Sequence, residues 1–300
     1  MMDDQHAPVV VATDGTQRSA GALRYGINEA RRRSVLLRLV HVAPAGALTE
    51  PMLSVAPETE PEIAQGLQAQ GRTILAEAES TARALEPGLR VETVLVAGSR
   101  VDEIVEAACA GQMIVLGREA RTGLQRLLTG ATTAAVAGRA PVPTVVAPGD
   151  WDLVEQGRMV VGIESEGCAR PLLSRAFERA AQRGARLTVI HAGDLPVPNS
   201  DVIDPHRYIM EWRAAAVHLL STLLDEWRRA YPGVGVETVV VHGQAAHALV
   251  AAAEASDLLI IGRRPHGPLH WAHLGATARA VLRSSHVPVE VVPLATSVDG

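Results

Sequence analysis

The hydrophobic positions alternate between two periods along the chain. Pro8-Val9-Val10-Val11-Ala12-Thr13 is a short, β-branched apolar run that meets Asp14-Gly15. This pattern predicts a buried strand entering a turn. Ala20, Leu23, Ile27 and Ala30 then recur at helical spacing, with Thr16 and Ser19 as candidate caps. Residues 35–42 predict a second strand, ending in Leu39-Val40-His41-Val42. A loop containing Pro44, Pro51, Pro57 and Pro61 leads to a long helix marked by Ile63, Leu67, Ile74, Ala78 and Leu85, which Pro87-Gly88 stops. Strands are predicted over 91–96, 113–116 and 142–146, with helices over 101–110 and near 128–138 between them.

The second half repeats this order. Strands are predicted over 159–163, 187–191, 236–241, 258–261 and 287–292. A Pro-rich loop over 193–206 precedes a long helix carrying Ile209, Trp212, Ala216, Leu219, Leu223 and Trp227. His41 and His191 are 150 residues apart, and the pairs Gly117/Gly262, Gly130/Gly275 and Pro143/Pro288 share a spacing of 145. One length change between the second and fourth strands reconciles the two spacings, so the pattern reads as a duplication. The expected domains are 1–149 and 157–296, joined by a linker near 148–157. In each, five strands alternating with helices imply an α/β fold with a parallel sheet, right-handed crossovers and helices on both faces. Such sheets bind ligands beyond the carboxyl ends of their strands. That rule points to Asp14, His41, Gly98, Gly117 and their second-half partners.

Composition narrows the chemistry. Of 300 residues, 47% are hydrophobic but only 3% aromatic, so the cores rest on Val, Leu, Ile and Ala. All 28 basic residues are Arg. Without lysine there is no Schiff base, no lysine general base and no Walker A loop. A net charge of −5 argues against nucleic acid and anionic membranes as partners. Two cysteines without metal or disulfide spacing, no membrane-length apolar run and no leader-like start predict a cytoplasmic protein.

Three features meet at the predicted sheet edge. Asp14 can accept hydrogen bonds from a ribose, or it can shape the Asp-Gly turn and cap the first helix. The run from Gly117 to Thr133 carries Arg118 and Arg121 on a loop and a glycine, Gly130, opening a helix. Helix N–H groups and arginines there suit phosphate, and glycine allows close approach; the alternative is an ordinary solvated loop. Val40-His41-Val42 can pack an adenine, or it is a core strand with a hydrogen-bonded histidine.

Together, Val-Val-x-x-Asp-Gly-Thr, Leu-Val-His-Val, Val-Leu-Gly-Arg and Leu-Leu-x-Gly resemble the universal stress protein family, in its tandem two-domain form. The resemblance implies strand order 3-2-1-4-5, a Rossmann-like domain, ATP binding in some members through Gly-x2-Gly-x9-Gly-(Ser/Thr), and pairing through the last strands as an internal pseudo-dimer or a homodimer. The first half keeps Gly117 and Gly130 but has Ala120 and Ala131 where the motif has glycine and Ser/Thr. The ATP site it implies comprises Thr13, Asp14, Val42, Leu116, Gly117, Arg118, Ala120, Gly130, Ala131, Thr132 and Thr133, with no metal beyond Mg accompanying ATP. The second-half equivalents are Glu164, Gly262, Arg263, Gly275 and Thr277, with Pro265 and Ala276 as departures. Proline removes an N–H donor from a phosphate cradle, so the second half is expected to be mainly structural.

His266, His270 and His273 lie in that same second-half loop, where the prolines favour a loop over a metal site. Cys109 reads as buried packing and Cys168 as exposed, with Arg170 its candidate activator. No hydrolase elbow, zinc-hydrolase pair or dinucleotide fingerprint is present. The expected function is a regulatory stress protein that binds ATP without efficient catalysis and acts through a regulatory protein partner. The rival readings are a nucleotide-free scaffold and a slow ATPase.

Overall fold

Val9, Val10 and Val11 are all fully buried, as a strand covered on both faces requires. Val10 joins a cluster with Ile104, Ala108, Val136 and Ala140, while Val11 lies against Gly26 of the first helix. Successive side chains therefore meet helices on opposite faces. A computed structural model describes residues 7–44, 60–119, 131–193, 205–264 and 274–294. The chain divides into two compact units, Met1–Leu153 and Val154–Gly300.

In the first unit the elements run β1 (Val9–Ala12), α1 (Gln17–Arg33), β2 (Leu37–Pro44), α2 (Glu60–Leu85), β3 (Val91–Gly98), α3 (Arg100–Cys109), β4 (Met113–Arg118), α4 (Ala131–Arg139) and β5 (Thr144–Pro148). The strand order is β3-β2-β1-β4-β5, and every pairing is parallel, with Val9 opposite both Leu37 and Met113. The chain order reverses at β1, so β1 and β4 diverge from a crevice at their carboxyl ends. α1 and α2 pack together on one face, and α3 and α4 on the other.

The second unit repeats the plan with β6 (Arg158–Gly162), α5 (Glu166–Arg183), β7 (Arg186–Gly193), α6 (Pro205–Ala230), β8 (Val236–His242), α7 (Ala245–Ala253), β9 (Leu258–Arg263), α8 (Ala276–Ser284) and β10 (Val289–Pro293). Its order is β8-β7-β6-β9-β10, again parallel. The α/β fold class and the strand order are those the sequence predicts.

Three local differences have simple causes. Pro61 belongs to the first turn of α2 rather than to the loop, and Pro205 opens α6 inside the stretch expected as loop. A first-turn residue has no intrahelical N–H bond to lose, so proline is tolerated there. β4 runs through Gly117 to Arg118, which places Arg118 on the strand. The part of the predicted fourth helix over 128–130 lies outside the described residues.

The second unit also buries a charge that the repeat does not require. Glu290 on β10 is fully buried and accepts from Arg175 Nε at 2.6 Å and Arg179 Nε at 3.0 Å. The corresponding first-unit residues are Val145, Tyr25 and Glu29.

Candidate functional site

At the β1/β4 crevice of the first unit, the turn after β1 positions Asp14. Its Oδ1 accepts from the Thr16 hydroxyl at 2.6 Å and the Thr16 N–H at 3.0 Å. The turn-shaping role considered for Asp14 is therefore present, and the residue is still exposed to solvent. Desolvation pushes its carboxyl up, but hydrogen bonds from Thr16, Ser19 and its own N–H outweigh that and hold it below its ordinary value. His41 Nδ1 lies 2.8 Å from the Thr13 carbonyl oxygen. A carbonyl only accepts, so Nδ1 carries the proton and the ring ties the end of β1 to β2. His191 Nδ1 does the same to the Ile163 carbonyl at 2.9 Å.

Thr13, Asp14, Val42, Leu116, Gly117, Arg118, Thr132 and Thr133 all line one cavity of about 130 Å3, together with Arg18 and Arg100. Arg118 is 5% exposed, a buried strand residue rather than a loop residue. Thr133 donates to the Gly117 carbonyl at 3.1 Å, which leaves Thr132 as the hydroxyl for a ligand. Ala131 is the first, exposed residue of α4. Ala120, Arg121 and Gly130 lie outside the described residues. Arg18 and Arg100 were not singled out in the sequence. Arg100 follows Gly98 at the end of β3, the place the strand-end rule indicates, and Arg18 opens α1 next to the turn.

Gly117 serves a different purpose from close ligand approach. A Cβ there would stand 2.0 Å from the Arg18 carbonyl oxygen, one at Gly21 would be 1.8 Å from the Pro148 carbonyl oxygen, and one at Gly149 would be 2.4 Å from that of Gln17. Three glycines thus let the first turn of α1 settle onto the ends of β4 and β5. Arg24 donates to the carbonyls of Trp151 at 2.7 Å and Gly149 at 3.0 Å and holds that approach.

The second unit is built otherwise. Gly21, Ala22 and Gly149 correspond to Pro171, Leu172 and Leu294. A Cβ at Gly262 would meet Leu294 Cδ1 at 2.8 Å and Leu172 Cδ1 at 3.1 Å rather than helix backbone. Leucine side chains occupy the place that close backbone packing takes in the first unit. The cavity there is about 680 Å3, and Glu164, Gly262, Arg263, Gly275 and Thr277 all line it. Glu164 pairs with Arg264 at 3.5 Å. Burial pulls the Arg263 guanidinium below its ordinary value.

Both cysteine expectations are reversed. Cys109, in the last turn of α3, is exposed, and Cys168 is buried although it lines the second-unit cavity. Cys168 forms a capping box with Ser165 at the start of α5, and its Sγ accepts from the Ser165 N–H at 3.4 Å. Burial pushes the thiol up, but hydrogen bonds from Ser165, Arg264 and the Glu164 backbone bring it below its ordinary value. Arg264 supplies the charge expected of Arg170 and also donates to the Ser165 hydroxyl. Arg170 instead pairs with Glu226 at 2.8 Å. His266, His270 and His273 lie outside the described residues. Among the described residues no group of His, Cys, Asp or Glu is arranged to hold a metal, and no helix is long and apolar enough to cross a membrane.

The sequence profile described as the universal stress protein family matches residues 6–148 and again 156–293. The chain belongs to the universal stress protein family. This tandem universal stress protein is similar along its length to a universal stress protein of Mycobacterium tuberculosis. The two are 32% identical over 296 residues, spanning 96% of this chain and 97% of the relative. A universal stress protein of Mycolicibacterium smegmatis is 28% identical over 297 residues, 95% and 96% of the respective chains. Among solved structures, a universal stress protein from Archaeoglobus fulgidus shares the fold with a TM-score of 0.69. It is 19% identical, over 96% of this chain and 99% of that one.

Proposed function

We propose that this universal stress protein is a regulatory nucleotide receptor of the cytoplasm. It holds ATP, with any accompanying Mg, at the first unit's crevice, and a regulatory protein partner reads that state. The observation that carries the proposal is the gathering of Asp14, three arginines and Thr132 around one cavity walled by Val42 and Leu116. Asp14, held ionised, suits the ribose hydroxyls. Val42 and Leu116 suit the face of an adenine. Arg18, Arg100 and Arg118 suit the phosphates.

A volume of about 130 Å3 is below the range of about 300 Å3 and upward typical of enclosing small-molecule sites. The described residues therefore enclose a nucleotide only in part. Efficient turnover needs a poised base. His41, the imidazole among the described lining residues, has Nδ1 committed to the Thr13 carbonyl, and its Cδ2–Nε2 edge lies against Gly71 of α2.

Thermal unfolding with added ATP tests this reading. A ligand at 100 times its Kd stabilises the folded state by about 2.7 kcal/mol. The wild type should gain on that order, and Asp14→Ala should lose the gain while its ligand-free unfolding temperature changes little. No shift at millimolar ATP would leave the nucleotide-free scaffold. Steady ADP production that falls in Asp14→Ala would make the protein a slow ATPase.

A further inference from the structure

We infer that the second unit's cavity is a separate binding site for a ligand with an apolar ring body and one anionic group, and not a second nucleotide site. The inference starts from what the duplication has changed position by position. Thr13, Arg100 and Thr133, which line the first cavity, correspond to Ile163, Ala245 and Ala278, which line the second. Val42 corresponds to Ala192, and Arg18 to the uncharged Cys168. Two hydroxyls and two guanidinium groups have thus left the wall of one cavity relative to the other, while Arg264 stands where the first cavity has Glu119.

What remains is room with apolar walls. About 680 Å3 falls within the range for enclosing small-molecule sites. Ile163, Leu172, Ile190, Leu249, Ile261 and Leu294 supply aliphatic surface on several sides. Leu172 and Leu294 stand where the first unit has Ala22 and Gly149, and both line the cavity. Burying an apolar ring there is favourable in proportion to the area it removes from water.

Charge sets the polar end. Glu164, in the ribose-acid position, is engaged with Arg264 at 3.5 Å, so a ribose meets an acid already paired. Arg263 lines the cavity beside Gly275, Ala276 and Thr277 at the start of α8. Arg264 also lines the cavity but is offset by Glu164, so the Arg263 guanidinium and the amino end of a helix match one anionic group. They fall short of the three or more charges of a triphosphate; the first cavity carries Arg100 and Arg118 together with Arg18, which pairs with Glu119 at 3.7 Å.

The test uses the full chain and 1-anilinonaphthalene-8-sulfonate, a ring probe with one sulfonate whose fluorescence rises in apolar surroundings. The expected result is saturable binding of one probe per chain, undisturbed by millimolar ATP. Ala245→Arg, which restores the first unit's residue and fills the cavity, should weaken the probe tenfold or more. Ala278→Thr, a smaller change that guards against misfolding of the first variant, should weaken it several-fold with the unfolding transition retained. Displacement of the probe by ATP would overturn the inference and make the cavity a nucleotide site. Probe binding unaffected by both variants would overturn it by placing the probe elsewhere. Failure of ATP to bind at all would remove the reading of the first unit and leave this one standing, because the probe titration is performed without nucleotide.

Discussion

Two copies of one fold in the same chain have packed the same helix against the same sheet edge in different ways. In the first unit Gly21, Gly117 and Gly149 let α1 close onto the strand ends, and the crevice is small, polar and lined by arginine. In the second unit Leu172 and Leu294 take up that space, and the crevice is large and mostly aliphatic. The comparison teaches that the chemistry of such a crevice is set as much by how its first helix seats as by the residues facing the ligand. A duplicated unit can keep its fold through strand pairing and the repeated histidine-to-carbonyl bonds while its pocket changes ligand class.

The largest expected effect lies at the buried carboxylate of β10 in the second unit. Glu290→Ala leaves Arg175 and Arg179 without the buried carboxylate they share, and loss of one partner from a buried ion pair typically costs about 3–5 kcal/mol. Chemical denaturation should show the second unit unfolding first by about that margin. Val145→Ala, at the equivalent position, should cost no more than a truncated core aliphatic residue.

The glycines come next. Gly117→Ala forces a methyl against the Arg18 carbonyl, where backbone must move, so a cost at or above the usual overpacking range of about 1–3 kcal/mol is expected. Gly262→Ala meets the ends of two leucine side chains, which can rotate away, and should cost about 1 kcal/mol or less. Equal costs in denaturant melts would mean that α1 and α5 seat alike.

A smaller contrast concerns the thiols. Cys168 is held below its ordinary value, so its thiolate fraction rises at lower pH than that of an unperturbed thiol. The pH profile of Cys168 alkylation, followed by peptide mass spectrometry in a Cys109→Ser chain, should have its midpoint below the ordinary value of 9.0. A midpoint above that value would contradict the donor network drawn from Ser165 and Arg264.

The smallest effect is the acid limb set by Asp14. Its folded pKa is depressed, so its stabilisation is complete above the ordinary value of 3.8 and is lost as pH falls through the lower folded value. Asp14→Asn should flatten the stability profile of the first unit only below about pH 4. A change confined to neutral pH would contradict the assignment.

The fold was legible because its signals are local and repeated. β-branched runs, helical periodicity and the spacings of 150 and 145 each act within one element or recur between halves. Among the described residues, the predicted site residues other than Ala131 line a crevice, as the strand-end rule leads one to expect, although Gly98, to which that rule also points, does not. The rest depended on distances no pattern contains. Gly117 looks like a ligand-approach glycine in the sequence, yet it faces Arg18 backbone. Cys109 in an alanine-rich helix is exposed because it falls on the outer side of the last turn of α3, and Cys168 is buried because its sulfur caps α5. The aliphatic wall of the second cavity includes Leu172 and Leu294, which are ordinary core leucines when read singly.

The account rests on the two crevices taking different ligands at the same time. Native mass spectrometry of the full chain with ATP and the anilinonaphthalene sulfonate both present measures this directly. One ATP and one probe on the same chain is the predicted species, with Asp14→Ala losing only the former and Ala245→Arg only the latter. Two ATP molecules per chain, or mutual exclusion of ATP and probe, would contradict it.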